Sequence, residues 1–137
     1  MSHKILIVDD SALIRHSVRA CIERNTKWEV CGEAENGKVA IEKVRQLHPD
    51  VVILDWQMPV MNGLDAAREI TRIDPSATML MITLHDCGDL TLDAHAVGIK
   101  EVLSKTDRIA DHLITSLNSA WADKNSAWDK NSVWVDT

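Results

Sequence analysis

Five short apolar runs rich in β-branched residues recur along the chain, at residues 4–9, 28–32, 50–55, 78–83 and 100–105. Each gives way to a turn signal and then to a segment of helical period. Ile5-Leu6-Ile7-Val8 and Val51-Val52-Ile53-Leu54 are apolar at every position, as strands covered on both faces must be, so these two are predicted to be central. After the first run, Ile14, Val18, Cys21 and Ile22 recur at i, i+4, i+7 and i+8 behind Ser11, whose side chain suits a helix N-cap. Arg15 and Arg19 fall on the opposite face of that helix. Ala40, Ile41, Val44 and Leu47 predict a second helix closed by Pro49, and Ala66, Ala67, Ile70 and Ile73 a third closed by Pro75. A fourth, around residues 90–97, ends at Gly98, a residue suited to the left-handed turn past a helix C-terminus. The fifth begins near Asp107 and carries Ile109, Leu113, Ile114 and Leu117.

Strict alternation of strand and helix predicts parallel strands joined by right-handed crossovers, hence an open three-layer α/β sandwich of five strands and five helices. Alternation alone leaves the strand order open. The order matters because ligands of such sheets bind beyond the carboxyl ends of the strands, where the winding direction reverses.

Composition narrows the picture. A chain of 137 residues fits one compact domain and needs no staple. Its apolar fraction of 45 % contains no Phe and no Tyr, so the core is aliphatic. The aromatic side chains are Trp28, Trp56, Trp121, Trp128 and Trp134, three of them close to the carboxyl end. A formal charge of −6 offers no basic stripe to follow phosphates, which argues against direct binding of nucleic acid. Cys21, Cys31 and Cys87 are odd in number and contain no CxxC, the pattern of a reducing compartment, and read as small core hydrophobes. The apolar stretch after Met1-Ser2-His3-Lys4 is too short for a signal peptide, and no run approaches the roughly 20 residues of a membrane span. A cytoplasmic location without membrane insertion is expected.

The polar residues of the core runs gather at their carboxyl ends: Asp9 and Asp10 after the first, Asp55 after the third, Thr83 after the fourth and Lys105 after the fifth. A polar residue there is ordinarily just where a strand meets water, but the fold brings all these ends together. Three carboxylates held close repel one another unless a cation intervenes, and a hard oxygen set with few protein donors suits Mg²⁺ retaining several waters. Lys105 adds a mobile positive charge and Thr83 a hydroxyl. The set meets the needs of phosphoryl transfer to a carboxylate. An aspartate is already ionised at neutral pH, so what remains is charge neutralisation and in-line positioning. An acidic cleft that binds cations adventitiously is the competing reading.

The stretches Ile7-Val8-Asp9-Asp10-Ser11, Asp55-Trp56-Gln57-Met58-Pro59-Val60-Met61-Asn62-Gly63, Met81-Ile82-Thr83 and Leu103-Ser104-Lys105 resemble the receiver domain of bacterial response regulators. The Asp-x-x-Met-Pro-x-Met-x-Gly run in register with Thr83 and Lys105 carries most of that resemblance, which covers residue 4 to about 120. It implies a flavodoxin-like, doubly wound sheet of order 2-1-3-4-5, with the first and third strands adjacent at the switch point. It further implies that Asp55 accepts phosphate from a sensor histidine kinase or phosphotransfer protein, and that a downstream protein target reads the result. Asp10, Asp55 and the Gln57 backbone carbonyl would bind Mg²⁺, with Asp9 acting through water, while Thr83 and Lys105 bind the phosphoryl group. Gln57 and His85 take positions lining the path of attacking water, so they are expected to set the lifetime of the phosphorylated state; a plain exposed loop residue is the other reading of His85. Pro59 and Gly63 shape the loop, with Gly63 expected to permit the turn into the third helix.

Three positions depart from the family pattern. Thr106 replaces the usual proline after the lysine; a cis non-proline bond costs about 2.5 to 4 kcal/mol, so Lys105-Thr106 is expected to be trans with a rearranged loop. Val102 replaces the switch aromatic, and Leu84 stands where a small residue usually keeps the phosphate pocket open. Switching is therefore expected to rely on backbone and helix shifts within residues 84–106. After a receiver domain at residues 1–121, a tail at 122–137 repeats Asn-Ser-Ala-Trp, Asn-Ser-Ala-Trp and Asn-Ser-Val-Trp from residue 118 onward. Trp121 and Trp128 share a face of a continued helix, which reads as a homodimerisation or docking extension of the fifth helix; a frayed tail laid on the domain is the alternative. Two other functions compete: a phosphorylation-independent binding module, and an aspartyl-phosphate phosphatase of the haloacid-dehalogenase type. The latter wants a second acid where Gln57 stands.

Overall fold

A computed structural model describes residues 3–84, 88–105 and 109–133. Strands β1 (Lys4–Val8), β2 (Glu29–Ala34), β3 (Val51–Asp55), β4 (Thr78–Thr83) and β5 (Ile99–Ser104) alternate with helices α1 (Ala12–Asn25), α2 (Gly37–Leu47), α3 (Gly63–Ile73), α4 (Gly88–Ala96) and α5 (Ile109–Val133). All neighbouring strands run parallel, in the order β2-β1-β3-β4-β5. The chain therefore reverses its winding between β1 and β3, and the carboxyl ends of these two strands lie side by side, with Val8 opposite Leu54.

The continuous apolar runs are explained by two separate cores. Leu6, Val8, Val52 and Leu54 point to the face covered by α2, α3 and α4, while Ile5, Ile7, Val51 and Ile53 point to the face covered by α1 and α5. Each of these eight side chains is fully enclosed, and at about 25 cal/mol per Å² of apolar surface such burial dominates the stability of the sheet. The helices begin where their caps stand: Ser11 Oγ accepts from the Ile14 amide, Asn36 Oδ1 from Val39 and Asn62 Oδ1 from Asp65. Left-handed His48 ends α2 before Pro49, and Gly98, at φ +98°, ends the α4 turn.

Several expectations shift. β2 runs two residues further than its apolar pattern, because the Asp9 amide continues the ladder to the Ala34 carbonyl. Cys21 and Cys31 are half-buried rather than core residues, and burial pushes both thiols up; Cys87 lies outside the described residues. Arg15 and Arg19 do not simply face water but close onto Glu33 of β2. Trp28 is buried, donates its indole N–H to the Leu117 carbonyl and meets Trp121 edge-on, while His3 stacks on Trp121 with ring centroids 3.8 Å apart. That cluster fastens the chain's start to α5. The helix continues through Val133 without a break at residue 121. At 1.5 Å per residue its 25 residues measure about 37 Å, well beyond the length of a six-residue strand.

Candidate functional site

The register that aligns β1 with β3, and β3 with β4, delivers the predicted polar residues to one end of the sheet. A cavity of 210 Å³ opens there, lined by Asp9, Asp10, Asp55, Thr83 and Lys105, with Gln57 at the loop after β3. Ser11, Ile14 and Leu84 complete its wall. The space is large enough to hold several waters. Ser11 and Ile14 were legible only as a cap and a core position, because their place at the cavity follows from the direction in which α1 leaves β1.

Burial differs sharply among the three carboxylates. Asp9 is fully enclosed, Asp55 is 6 % exposed and Asp10 faces solvent. One ligand oxygen from each lies within 4.8 Å of the others. The Lys105 ammonium sits between the two buried members, 2.8 Å from Asp9 Oδ2 and 3.2 Å from Asp55 Oδ1. Burial pushes the Asp55 carboxyl up, the Asp9 charge adds to this, and Lys105 opposes it. Burial also works against the Lys105 ammonium, but hydrogen bonds and charge from Asp9 and Asp55 prevail and raise its pKa. The Lys105 amide donates to the Thr83 carbonyl at 2.7 Å, which ties β5 to the end of β4.

Backbone geometry explains the loop after Asp55. The Gly63 amide donates to the Trp56 carbonyl at 2.7 Å, and a Cβ on Gly63 would lie 2.3 Å from the Asp55 carbonyl oxygen. Gly63 opens α3, as expected of the turn into that helix, and the freedom it supplies is close backbone approach rather than a left-handed conformation. The left-handed residue of the loop is Val60, at φ 70°. Leu84 lines the cavity while leaving 69 % of its surface in water, so it borders the pocket without filling it. Val102 packs against the core on the α2 to α4 face and does not line the cavity. His85 and Thr106 lie outside the described residues, as do Asp86 and Trp134.

One set of contacts escaped the sequence reading. Arg15 Nη1 donates to the Asp9 backbone carbonyl at 2.6 Å, while its Nε donates to Glu33 Oε1 at 2.9 Å. The signal lay in the pairing of Ile7 with Glu33 across the sheet, which a single sequence does not disclose.

The donor set is hard oxygen throughout, concentrated around one ammonium, and fits a small divalent cation that keeps part of its water shell. Among the described residues, no helix is long and apolar enough to cross a membrane.

Comparison with known proteins agrees with this arrangement. The family model described as "Response regulator receiver domain" matches residues 5–117. The chain is 37 % identical over 121 residues to the chemotaxis protein CheY of Bacillus subtilis, covering 86 % of this chain and the whole of that protein. It is 42 % identical over 106 residues to a protein-glutamate methylesterase/protein-glutamine glutaminase of Aliivibrio fischeri, covering 77 % of this chain but only 28 % of that protein. The chain thus spans little more than a quarter of the length of the methylesterase relative. Among solved structures, the CheX-CheY-BeF3-Mg complex of Borrelia burgdorferi superposes with a TM-score of 0.79 at 25 % identity, covering 85 % of this chain and 88 % of that one.

Proposed function

The chain belongs to the response regulator receiver family, and on that premise we propose that it is a single-domain response regulator whose phosphoacceptor is Asp55. The observation that carries this reading is the gathering of Asp9, Asp10, Asp55, Thr83 and Lys105 around one cavity. The donor is the phosphohistidine of a sensor kinase or phosphotransfer protein, and the output is a contact with a downstream protein in the cytoplasm. Match to a CheY over that protein's full length supports the receiver reading. The exposed Leu84 at the cavity's edge and the exposed Leu13 beside Ile14 suit apolar contact with the donor protein.

A carboxylate needs no general base to attack phosphorus. One Asp55 oxygen bonds to phosphorus as the phosphorus–nitrogen bond of the donor breaks, and the departing imidazole nitrogen keeps the electron pair. Lys105, already between Asp9 and Asp55, shifts its ammonium toward the phosphoryl oxygens, and the Thr83 hydroxyl takes a second one. Asp10, Asp55 and the Gln57 carbonyl would hold magnesium, with Asp9 reaching it through water; when bound, the ion would supply positive charge to offset that of the acceptor and the phosphoryl group. Gln57 and His85 govern the access of water to the acyl phosphate. With valine at 102, the signal passes through backbone and helix shifts in residues 84–106 rather than through a rotating ring.

Incubation with a small-molecule phosphodonor and Mg²⁺, followed by a hydrolysis time course, tests the proposal. A stable acyl phosphate that is absent from Asp55→Asn is the expected result. Rapid turnover would point to a phosphatase instead, and the absence of label from the wild type to a phosphorylation-independent module.

We treat residues 1–121 as the receiver and 122–137 as an extension of α5 that pairs with a second copy. The unbroken helix favours this over a frayed tail, and Trp128 follows at the seven-residue spacing of paired helices from Trp121, which His3 and Trp28 of the same chain already hold. A chain ending at Ala122 is expected to sediment as a monomer where the full chain is a dimer; an unchanged state removes the pairing.

A further inference from the structure

Arg15 lies in the first turns of α1, and its side chain is only 17 % exposed. Its two bonds join groups with no reason of their own to meet: the Asp9 backbone carbonyl at 2.6 Å and the Glu33 carboxylate at 2.9 Å. Arg19, one turn on, takes the other Glu33 oxygen at 2.7 Å and also pairs with Glu23 at 3.5 Å, so two carboxylates face the two guanidiniums. Burial works to raise the Glu33 carboxyl, but the bonds from Arg19 and Arg15 overcome it and hold the group below the usual carboxylate range. Glu33 thus stays charged beside the two arginines.

Asp9 is anchored at every polar atom. Its amide donates to Ala34, Oδ1 accepts from the Ser11 amide at 2.9 Å, Oδ2 accepts from Lys105 at 2.8 Å, and its carbonyl accepts from Arg15. That carbonyl shares a peptide plane with the Asp10 nitrogen, so fixing it fixes the point from which the Asp10 side chain departs. Asp10 is exposed at the rim of the cavity. The anchored peptide plane sets where its side chain begins.

We infer that Arg15 is a positioning residue for the divalent cation, locking the Asp9-Asp10 peptide while Glu33 cancels the positive charge that the lock would otherwise bring to the site. This rests on the magnesium reading above. An arginine so near a cation site repels the ion unless a carboxylate balances it, and Glu33, paired to Arg15 away from the cavity, does so without competing as a ligand.

Mg²⁺ titration of the metal-free full chain, read by calorimetry and by Trp56 emission, separates the two parts of the inference. Arg15→Met is expected to lose roughly tenfold or more in Mg²⁺ affinity, the usual range for residues that orient ligands, and Arg15→Lys to recover part of it. Glu33→Gln leaves the Asp9 bond but exposes the charge, so its loss of affinity should shrink as salt is raised. A role confined to stability would show no such salt dependence. Wild type that binds Mg²⁺, with Arg15→Met folded and equal to it in affinity, overturns the inference alone; if Arg15→Met does not fold, Arg15→Lys and Glu33→Gln at wild-type affinity overturn it equally. Wild type that binds no Mg²⁺ overturns the site reading and the inference together.

Discussion

Gly63→Ala adds one methyl group at the tightest backbone approach near the phosphoacceptor. The new Cβ would stand 2.3 Å from the Asp55 carbonyl oxygen, 3.1 Å from its carbon and 3.0 Å from Met81 Cε. Met81 can swing its end aside, but Asp55 cannot move freely, since it pairs with Ile82 at the end of β3 and the next amide, Trp56, bonds the Ile82 carbonyl. Roughly 1 Å must be found to restore an ordinary contact. The first turn of α3 has to retreat, stretching the 2.7 Å bond from the Gly63 amide to Trp56. Overpacking costs about 1–3 kcal/mol and a weakened buried hydrogen bond about 1 kcal/mol. The stiffer unfolded chain returns about 0.4–1 kcal/mol. The net loss is about 2 kcal/mol, read as a drop in urea midpoint at constant slope and in Tm by roughly 6–8 °C for a domain of this size. Gly32→Ala is the control: its Cβ meets the flexible end of Leu47 at 2.9 Å, so it should cost far less. Gly63→Ala as stable as wild type would refute the close-approach argument.

Two further outcomes follow from the same region. Val60 holds φ 70° while 76 % exposed; Val60→Gly relieves about 1–2 kcal/mol of left-handed strain, the looser unfolded chain takes back about 0.4–1 kcal/mol, and a gain of about 0.5–1 kcal/mol is expected in urea melts, whereas a loss would show the strain argument to be wrong. Asp55 has its folded-state pKa raised, chiefly by burial and then by Asp9, so the stability it contributes is present below the unfolded carboxylate value and lost as pH rises through the folded one. Metal-free Asp55→Asn should therefore exceed wild type in Tm at neutral pH, with the advantage shrinking on acidification; an advantage that persists or grows in acid contradicts the burial account.

How legible the fold was depends on how many faces an element buries. β1 and β3 declared themselves because both faces are covered, and β4 matched its apolar run at both ends. The start of α4 and the end of β2 were less plain, since Gly88 carries no side chain to mark a helical period and the Glu33 next to Ala34 interrupts the apolar run of β2. The strand order rested on the family resemblance, and the parallel ladders bear it out. Within the site, Asp9, Asp10, Asp55, Thr83 and Lys105 were legible because each closes a strand, and the topology must bring such ends together. The Arg15–Glu33 pair was not, because it depends on a register shift between Ile5 and Leu6 that sets which β2 residue faces α1. The His3–Trp121 stack is equally invisible from the sequence, as it joins residues more than a hundred positions apart.

In the proposed function, Asp55 carries the phosphoryl group. Treating the full chain with a small-molecule phosphodonor and Mg²⁺, trapping the acyl phosphate by borohydride reduction and locating the reduced residue by peptide mass spectrometry tests it most directly. Reduction at Asp55 that needs both donor and Mg²⁺ is the predicted result. Reduction at Asp9, Asp10 or elsewhere, or none at all in wild type, would contradict it.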